Sequence, residues 1–286
     1  MKARIWPYIW SAIIYVAALA LALYIAPHNS PVYGESGLPS QSSPLWWILG
    51  YFFAAVVIVA IVLFIIPLRF LSYVFRLIFA VMYAWGILIV MLRVPGPTSY
   101  IVAGIAALAW LFFAYIWLHN LLLMIALAAA ASVFGYLFSP LTFMIFMLII
   151  AVYDVLAVRF GFMVWMADKM SNSASLPAFI FPKKMKDVGQ NIRAVQFSEL
   201  KKEEPAQREH MILGGGDIGF PLMLTVAVYF TYGMGGAILV GACALVGIML
   251  AFVIQQYWLK GKPMPALPPI TLMGLIGYLI ARFTMG

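Results

Sequence analysis

The sequence predicts an all-α membrane protein, a polytopic helical bundle with nine transmembrane helices, on three observations. Of its 286 residues, 66% are hydrophobic and 9% charged, with a mean hydropathy of +1.05; soluble domains run at about 45–50% apolar and about 25% charged. Apolar runs of about 20 residues, the length that crosses a hydrocarbon core, recur along the whole chain. The breaks between them carry turn chemistry.

The runs lie at 6–26, 45–67, 70–92, 98–118, 120–138, 141–159, 212–232, 236–259 and 267–284. They are separated by Pro44, by Pro67 with Arg69, by "RVPGP" at 93–97, "HN" at 119–120, "SP" at 139–140 and "KGKPMP" at 260–265. The first run follows Lys2 and Arg4 as a secretory leader would. Its apolar core is longer than the ~7–15 residues of a leader and no small-residue cleavage site follows, so a retained helix is expected. Residues 27–44, "PHNSPVYGESGLPSQSSP", are polar and are expected to form an outer loop. Residues 168–210 hold Lys183, Lys184, Lys186, Glu203 and Glu204; inside them "SLPAFIFP" at 175–182 is apolar, too short to span, and expected at the interface. The chain therefore divides into helices one to six (1–167), a loop (168–210) and helices seven to nine (211–286).

Lys and Arg favour the cytoplasmic side of a membrane. Placing the N-terminus inside puts Lys2, Arg4, Arg69, Arg76, Lys260, Lys262 and the 168–210 loop, with Lys183 and Lys201, on that side. Little more than Arg93 and Arg282 is left outside, where the C-terminal Gly286 also falls. The net charge of +8 is thereby explained by topology and anionic lipid rather than by nucleic acid. Cys243 is the single cysteine, which excludes a disulfide framework and a cysteine-rich metal site; it is expected to serve as a small packing residue. Gly241, Gly247 and Ala251 read as close helix packing.

Seven of the nine acidic residues fall in loops or at ends: Glu35, Asp168, Asp187, Glu199, Glu203, Glu204 and Glu209. The other two do not. Asp154, in "IIAVYDVLAVRF", lies in run six, and Asp217, in "ILGGGDIGFP", lies in run seven. A carboxylate in hydrocarbon costs several kcal/mol at least, so each marks a partner, a water-filled cavity or a function. Asp154 is five residues from Arg159, roughly 7–8 Å along a helix, and Asp217 six residues from Met211, roughly 9 Å. At matching depths on consecutive antiparallel helices the two acids can face each other. A carboxylate pair that shares a proton suits peptide hydrolysis, with one member as general base on water and the other polarising the carbonyl. Gly214, Gly215 and Gly216 let water and an extended backbone approach. The same two acids also suit a transporter or cation leak pathway, and the residues alone leave both open. Zinc chemistry lacks an HExxH, and His28, His119 and His210 fall in three different connections, where each reads as a solvated loop residue. No cofactor is implied.

Three segments, in order, resemble the signatures of the presenilin and signal peptide peptidase family of intramembrane aspartyl proteases. "YDVLAV" (Tyr153 to Val158) resembles YDxxAV, "GGGD" (Gly214 to Asp217) resembles GxGD, and "PAL" (Pro265 to Leu267) the third signature. The prepilin peptidase group shares GxGD but has fewer spans and no PAL. The resemblance implies a microbial presenilin homologue in which Asp154 and Asp217 are catalytic. Tyr153, Gly214, Gly215, Gly216, Pro265, Ala266 and Leu267 then bind substrate, drawn from single-span membrane proteins or signal peptides. Pro221 looks more like the signal peptide peptidase branch, whereas the charge bias gives the presenilin orientation. Finally, prolines 263, 265, 268 and 269 are expected to prevent a regular helix and leave the backbone of Ala266 and Leu267 free. An unwound substrate strand would pair there or along Met211 to Leu213.

Overall fold

In a computed structural model of the chain, residues 6–41, 44–65, 68–161, 177–192, 210–259 and 264–286 are described. In chain order they form α1 (Trp6–Glu35), α2 (Leu45–Ile65), α3 (Leu68–Val90), α4 (Thr98–Phe112), α5 (Ile116–Leu137) and α6 (Pro140–Arg159). There follow β1 (Ala178–Pro182), a 3-10 turn at Met185–Gly189, β2 (His210–Gly214), α7 (Gly215–Val253) with a π turn at Ile254–Trp258, and α8 (Leu267–Met285). Six of the helices (α1, α3, α5, α6, α7 and α8) are long and apolar enough to cross a membrane; α2 and α4 contribute shorter apolar stretches. Large apolar side chains such as Val57, Ile105, Val152 and Leu272 point outward, as lipid-facing residues do.

Local chemistry explains most boundaries. The "SP" break is the start of α6: the Ser139 hydroxyl accepts from the Thr142 N–H at 3.2 Å and Pro140 occupies a first-turn position that needs no donor. The expected loop at 27–44 is corrected, because α1 runs through Pro27 and Pro31 to Glu35. Pro31 deprives the Pro27 carbonyl of its helical partner, and the Ser30 hydroxyl donates to that carbonyl at 3.1 Å instead. Asn29 then donates to the Ile89 carbonyl and Tyr33 bonds Ser132, so tertiary contacts hold a segment whose composition reads as loop.

Expected runs seven and eight are the two arms of α7. Gly233 (φ 78°, ψ −172°) breaks the helix in a backbone region that favours glycine. The first arm runs parallel to α8, with Gly274 at Leu224 and Gly286 at Tyr232. The second arm runs antiparallel to it, with Gly235 at Met285 and Gly247 at Ile270. The chain therefore reverses at Gly233, and its arms pack on α8, α5, α1 and α6. Small residues permit this: Gly241 faces Leu19, Gly277 faces Cys243, and Ala251 is buried.

The reversals gather the starts of α5, α7 and α8 and the end of α6 at one end of the bundle. Arg76, Arg159, Lys183 and Lys184 belong to that half among the described residues, and Arg93 and Arg282 to the other. Lys2, Arg4, Asp168, Glu199, Lys201, Glu203, Glu204, Glu209, Lys260, Lys262 and Pro263 lie outside the described residues.

Among the described residues the helical bundle also carries one two-stranded sheet. Residues 178–182, which the sequence places at the interface without a secondary structure, are strand β1, buried along its full length and antiparallel to β2, with Ala178 opposite Gly214 and Pro182 opposite His210. Length explains the difference: five residues are too few to span but enough to fill a slot beside α5.

A Cβ at Gly247 would lie 2.7 Å from the Ile270 Cα, so α7 and α8 must separate to admit it. Gly247→Ala is expected to cost about 1–3 kcal/mol of stability. Gly50→Ala, with nothing within 4 Å, should stay within about 0.5 kcal/mol. Thermal unfolding of both variants in detergent checks the contrast.

Candidate active site

Asp154 sits in the penultimate turn of α6 and is only 3% exposed. Its Oδ2 accepts a hydrogen bond from the Leu267 N–H at 3.1 Å. Leu267 is the first residue of α8, with Ala266 as the capping residue. The opening residues of a helix carry N–H groups with no partner inside it. Here the next two residues are Pro268 and Pro269, which have no N–H. The N–H left over in the first turn of α8 is therefore the one aimed at Asp154, and the Ala266 backbone faces the same carboxylate. The prolines do not prevent a helix, as the sequence suggested; they occupy its first turn, where proline is tolerated. Nor is the Leu267 backbone free.

Asp217 lies in the first turn of α7, three residues after the capping residue Gly214. The helix begins at Gly215 and residues 210–214 are strand, so Asp217 stands at the mouth of the helix rather than six residues inside it. The Gly214 backbone lies against the Asp217 carboxylate, the contact that an acid at this position makes in a capping box. Each glycine has its own steric reason. A Cβ at Gly214 would come within 3.0 Å of the Asp217 Oδ2, and one at Gly216 within 2.9 Å of the Phe220 ring. At Gly215 it would come within 3.0 Å of the Pro177 carbonyl, to which the Gly215 N–H donates at 2.8 Å. Pro221 cannot donate to the Asp217 carbonyl four residues back, so the turn that carries the acid lacks one helical bond.

The two carboxylates come together: Asp154 is near enough to Asp217 to act on it electrostatically, and α6 packs on both α7 and α8. Next to Asp154, the Tyr153 ring meets Phe52 of α2 edge-on at 6.1 Å. Pro265 and Ala266 are half-buried and Leu267 is buried.

Two expectations for the histidines fail. His119 is fully buried in the first turn of α5, and His210 is 8% exposed at the start of β2. His28 is exposed, but on α1, against Tyr24. The sequence signal for a role of His119 was present in "HN": two adjacent polar residues between apolar runs read as a break, although they begin a helix and face protein.

The sequence model of the signal-peptide peptidase, presenilin aspartyl protease family matches residues 9–286. The chain belongs to this family. It is an integral membrane protein and an intramembrane aspartyl protease, and the match lends no support to ion transport. Two solved structures titled as a presenilin family intramembrane aspartate protease, in C222 and P2 space groups, share its fold. Their TM-scores are 0.61 and 0.63 at 16% and 18% identity, over 96% and 95% of this chain and 96% of each of theirs. Comparison with curated protein sequences gives no match.

The Leu267 contact of the protease can be tested by its backbone donor alone. Leu267→Pro removes the N–H and also disfavours the αR conformation of Ala266 (φ −88°, ψ −26°), so its fold is checked by thermal unfolding; Leu267→Ala keeps the N–H. A hydrogen bond to a charged group is worth about 1.5–3 kcal/mol, so the proline variant should lose about 10- to 100-fold more turnover than the alanine variant. Equal turnover of the two would show that the N–H has no part in catalysis.

Proposed function

We propose that Asp154 and Asp217 are the catalytic pair of this protease and that it cleaves the membrane-spanning segments of single-span proteins or signal peptides. The observation that carries the assignment is the meeting of the two buried-segment acids at the start of α7 and α8, each held by backbone at a helix N-terminus. One carboxylate takes a proton from a water as its oxygen attacks the scissile carbonyl carbon. The other, protonated, donates to the carbonyl oxygen, which gives a tetrahedral diol. Collapse of the diol transfers a proton to the departing nitrogen and breaks the C–N bond. No cofactor takes part.

The substrate must present an extended backbone, since a helix hides its carbonyls in its own hydrogen bonds. The outer edge of β2 suits it. Both main-chain groups of Ile180 bond the Asn120 side chain, away from β2, so Ile180 and Ile212 form a non-hydrogen-bonded pair. By the same alternation the Ile212 N–H and C=O point away from β1, toward an edge with no strand among the described residues. An added substrate strand would satisfy them. Of the two segments that the sequence offered for strand addition, Met211 to Leu213 remains; the Leu267 N–H belongs to Asp154. Gly214, Gly215 and Gly216 and the Pro265–Ala266–Leu267 turn then flank the bond to be cut, and Tyr153 borders it from α6.

We place the N-terminus and the 168–210 loop in the cytoplasm and Gly286 outside, in the cell membrane of a microbe. The excess of Lys and Arg at the catalytic end supports that orientation. The division into 1–167, 168–210 and 211–286 follows from it, as one membrane block on either side of a cytoplasmic loop.

Asp154→Asn and Asp217→Asn should each abolish cleavage of single-span substrates read by mass spectrometry while remaining folded, because an amide cannot exchange the proton. Turnover by either folded variant refutes the pair. Ile212→Pro deletes an outward N–H without touching the β1–β2 bonds; it should lower cleavage about 10-fold while a small hydroxyl-bearing transition-state mimic still binds. Unchanged cleavage would exclude strand addition at this edge. A cysteine at position 201 labelled from outside by an impermeant reagent in intact cells would reverse the topology.

A further inference from the structure

β1 is held on both of its edges, and only one of them is a strand. On the other edge stand two side chains from the first turn of α5. Asn120 donates through Nδ2 to the Ile180 carbonyl at 2.7 Å and accepts from the Ile180 N–H on Oδ1 at 3.1 Å. This is the paired donor and acceptor that a neighbouring strand residue would present. His119 places Nε2 3.0 Å from the Ala178 carbonyl and Nδ1 2.9 Å from the Tyr83 hydroxyl. The carbonyl can only accept, so in the neutral ring Nε2 carries the hydrogen and Nδ1 accepts from Tyr83. Phe79, Tyr83 and Trp110 surround the imidazole with ring centroids 6.0–6.3 Å away, which fixes its orientation.

A second set of contacts ties the same stretch to the same place. The Ile116 N–H donates to the Gln190 carbonyl at 3.0 Å, and the Ile192 N–H donates to the Ala114 carbonyl at 2.8 Å. The segment that carries β1 is thus pinned to the start of α5 on both sides of the 3-10 turn. From β1 the contact passes directly to the catalytic turn. Ala178 stands opposite Gly214, and the Pro177 carbonyl accepts from Gly215, two residues before Asp217.

We infer that His119 and Asn120 are positioning residues of the protease, which set the register of β1 against β2 and through it both the placement of Asp217 and the substrate bond presented to it. Register matters here because a slip of one residue along a strand moves every side chain to the opposite face. Two polar groups clamped on alternate residues of β1, Ala178 and Ile180, resist that slip. The apolar side chains of AFIFP distinguish poorly between registers, so these polar clamps, together with the backbone bonds of Gln190 and Ile192 to the start of α5, favour one. The inference rests on the catalytic assignment of Asp154 and Asp217 and on strand addition at β2.

The test uses the full-length protein in lipid vesicles with one single-span substrate, and reads kcat, KM, the product map by mass spectrometry and the binding of a small hydroxyl-bearing transition-state mimic. Asn120→Leu and His119→Leu should lower kcat about 10-fold or more with KM changed less than about 3-fold. Their products should spread by one or two residues around the wild-type bond. His119→Gln keeps a donor for Ala178 and should restore the wild-type product map. Asn120→Asp keeps the acceptor for the Ile180 N–H but not the donor, and should fall between wild type and Asn120→Leu. Folded leucine variants with the wild-type map and kcat would overturn the inference, and so would His119→Gln as damaged as His119→Leu. If the leucine variants do not fold, a wild-type map for Asn120→Asp overturns it and a spread map supports it. Asp154→Asn and Ile212→Pro, run alongside, separate the failures: cleavage by Asp154→Asn sinks the catalytic pair, and full cleavage by Ile212→Pro sinks strand addition.

Discussion

A carboxylate inside an apolar bundle has to be held by donors from the protein itself, since neither lipid nor neighbouring aliphatic side chains can supply one. In this chain the donors are main-chain groups at the start of helices. Leu267 at the first position of α8 serves Asp154, and Gly214 at the cap of α7 serves Asp217. Backbone donors suit the task because their position is set by the helix, not by a rotamer. The carbonyl ends of helices could not do it, so the need for two helix N-termini at one level dictates much of the topology. α7 and α8 must both begin at the end where α6 finishes, and the reversal at Gly233 returns the chain to that end for the second start.

The same requirement accounts for an otherwise odd local composition. Three glycines precede one acid and two prolines follow the residue that holds the other. On the Asp217 side, side chains would crowd the carboxylate, the Pro177 carbonyl or the Phe220 ring, so glycine is forced by close approach. On the Asp154 side the constraint is on donors rather than space. Pro268 and Pro269 start a helix while removing two N–H groups that would have no partner in a partly buried turn. Glycine and proline are read as breakers in most sequences; here both begin helices.

Toward both ends of the bundle side chains stand in for backbone. Asn120 acts toward β1 as a strand would, and Ser30 completes the carbonyl that Pro31 leaves open in α1. In lipid-facing helices such groups are costly unless paired, and each is satisfied by a main-chain partner from a distant or local turn. The bundle can therefore carry a short sheet at its end without exposing the inner edge of that sheet.

Composition and the spacing of apolar runs determined the solvent and most helix positions, because a segment that crosses hydrocarbon must be continuously apolar and bond its own backbone. They also singled out Asp154 and Asp217, since an acid within such a run is too costly to be incidental. What the sequence alone could not determine was which residues hold those acids. The Leu267 N–H on Asp154 and the clamp of His119 and Asn120 on β1 are contacts between segments far apart in the chain; the Gly214 backbone reaches Asp217 from only three residues away, but it and the Leu267 N–H are main-chain groups that nearly every residue type possesses. The strands escaped for a related reason: AFIFP and HMILG look alike as apolar runs whether they lie at an interface or in a sheet, and only the slot beside α5 decides. The helical course of 27–35 was likewise decided by Asn29, Ser30 and Tyr33 finding partners, against the local preference of two prolines.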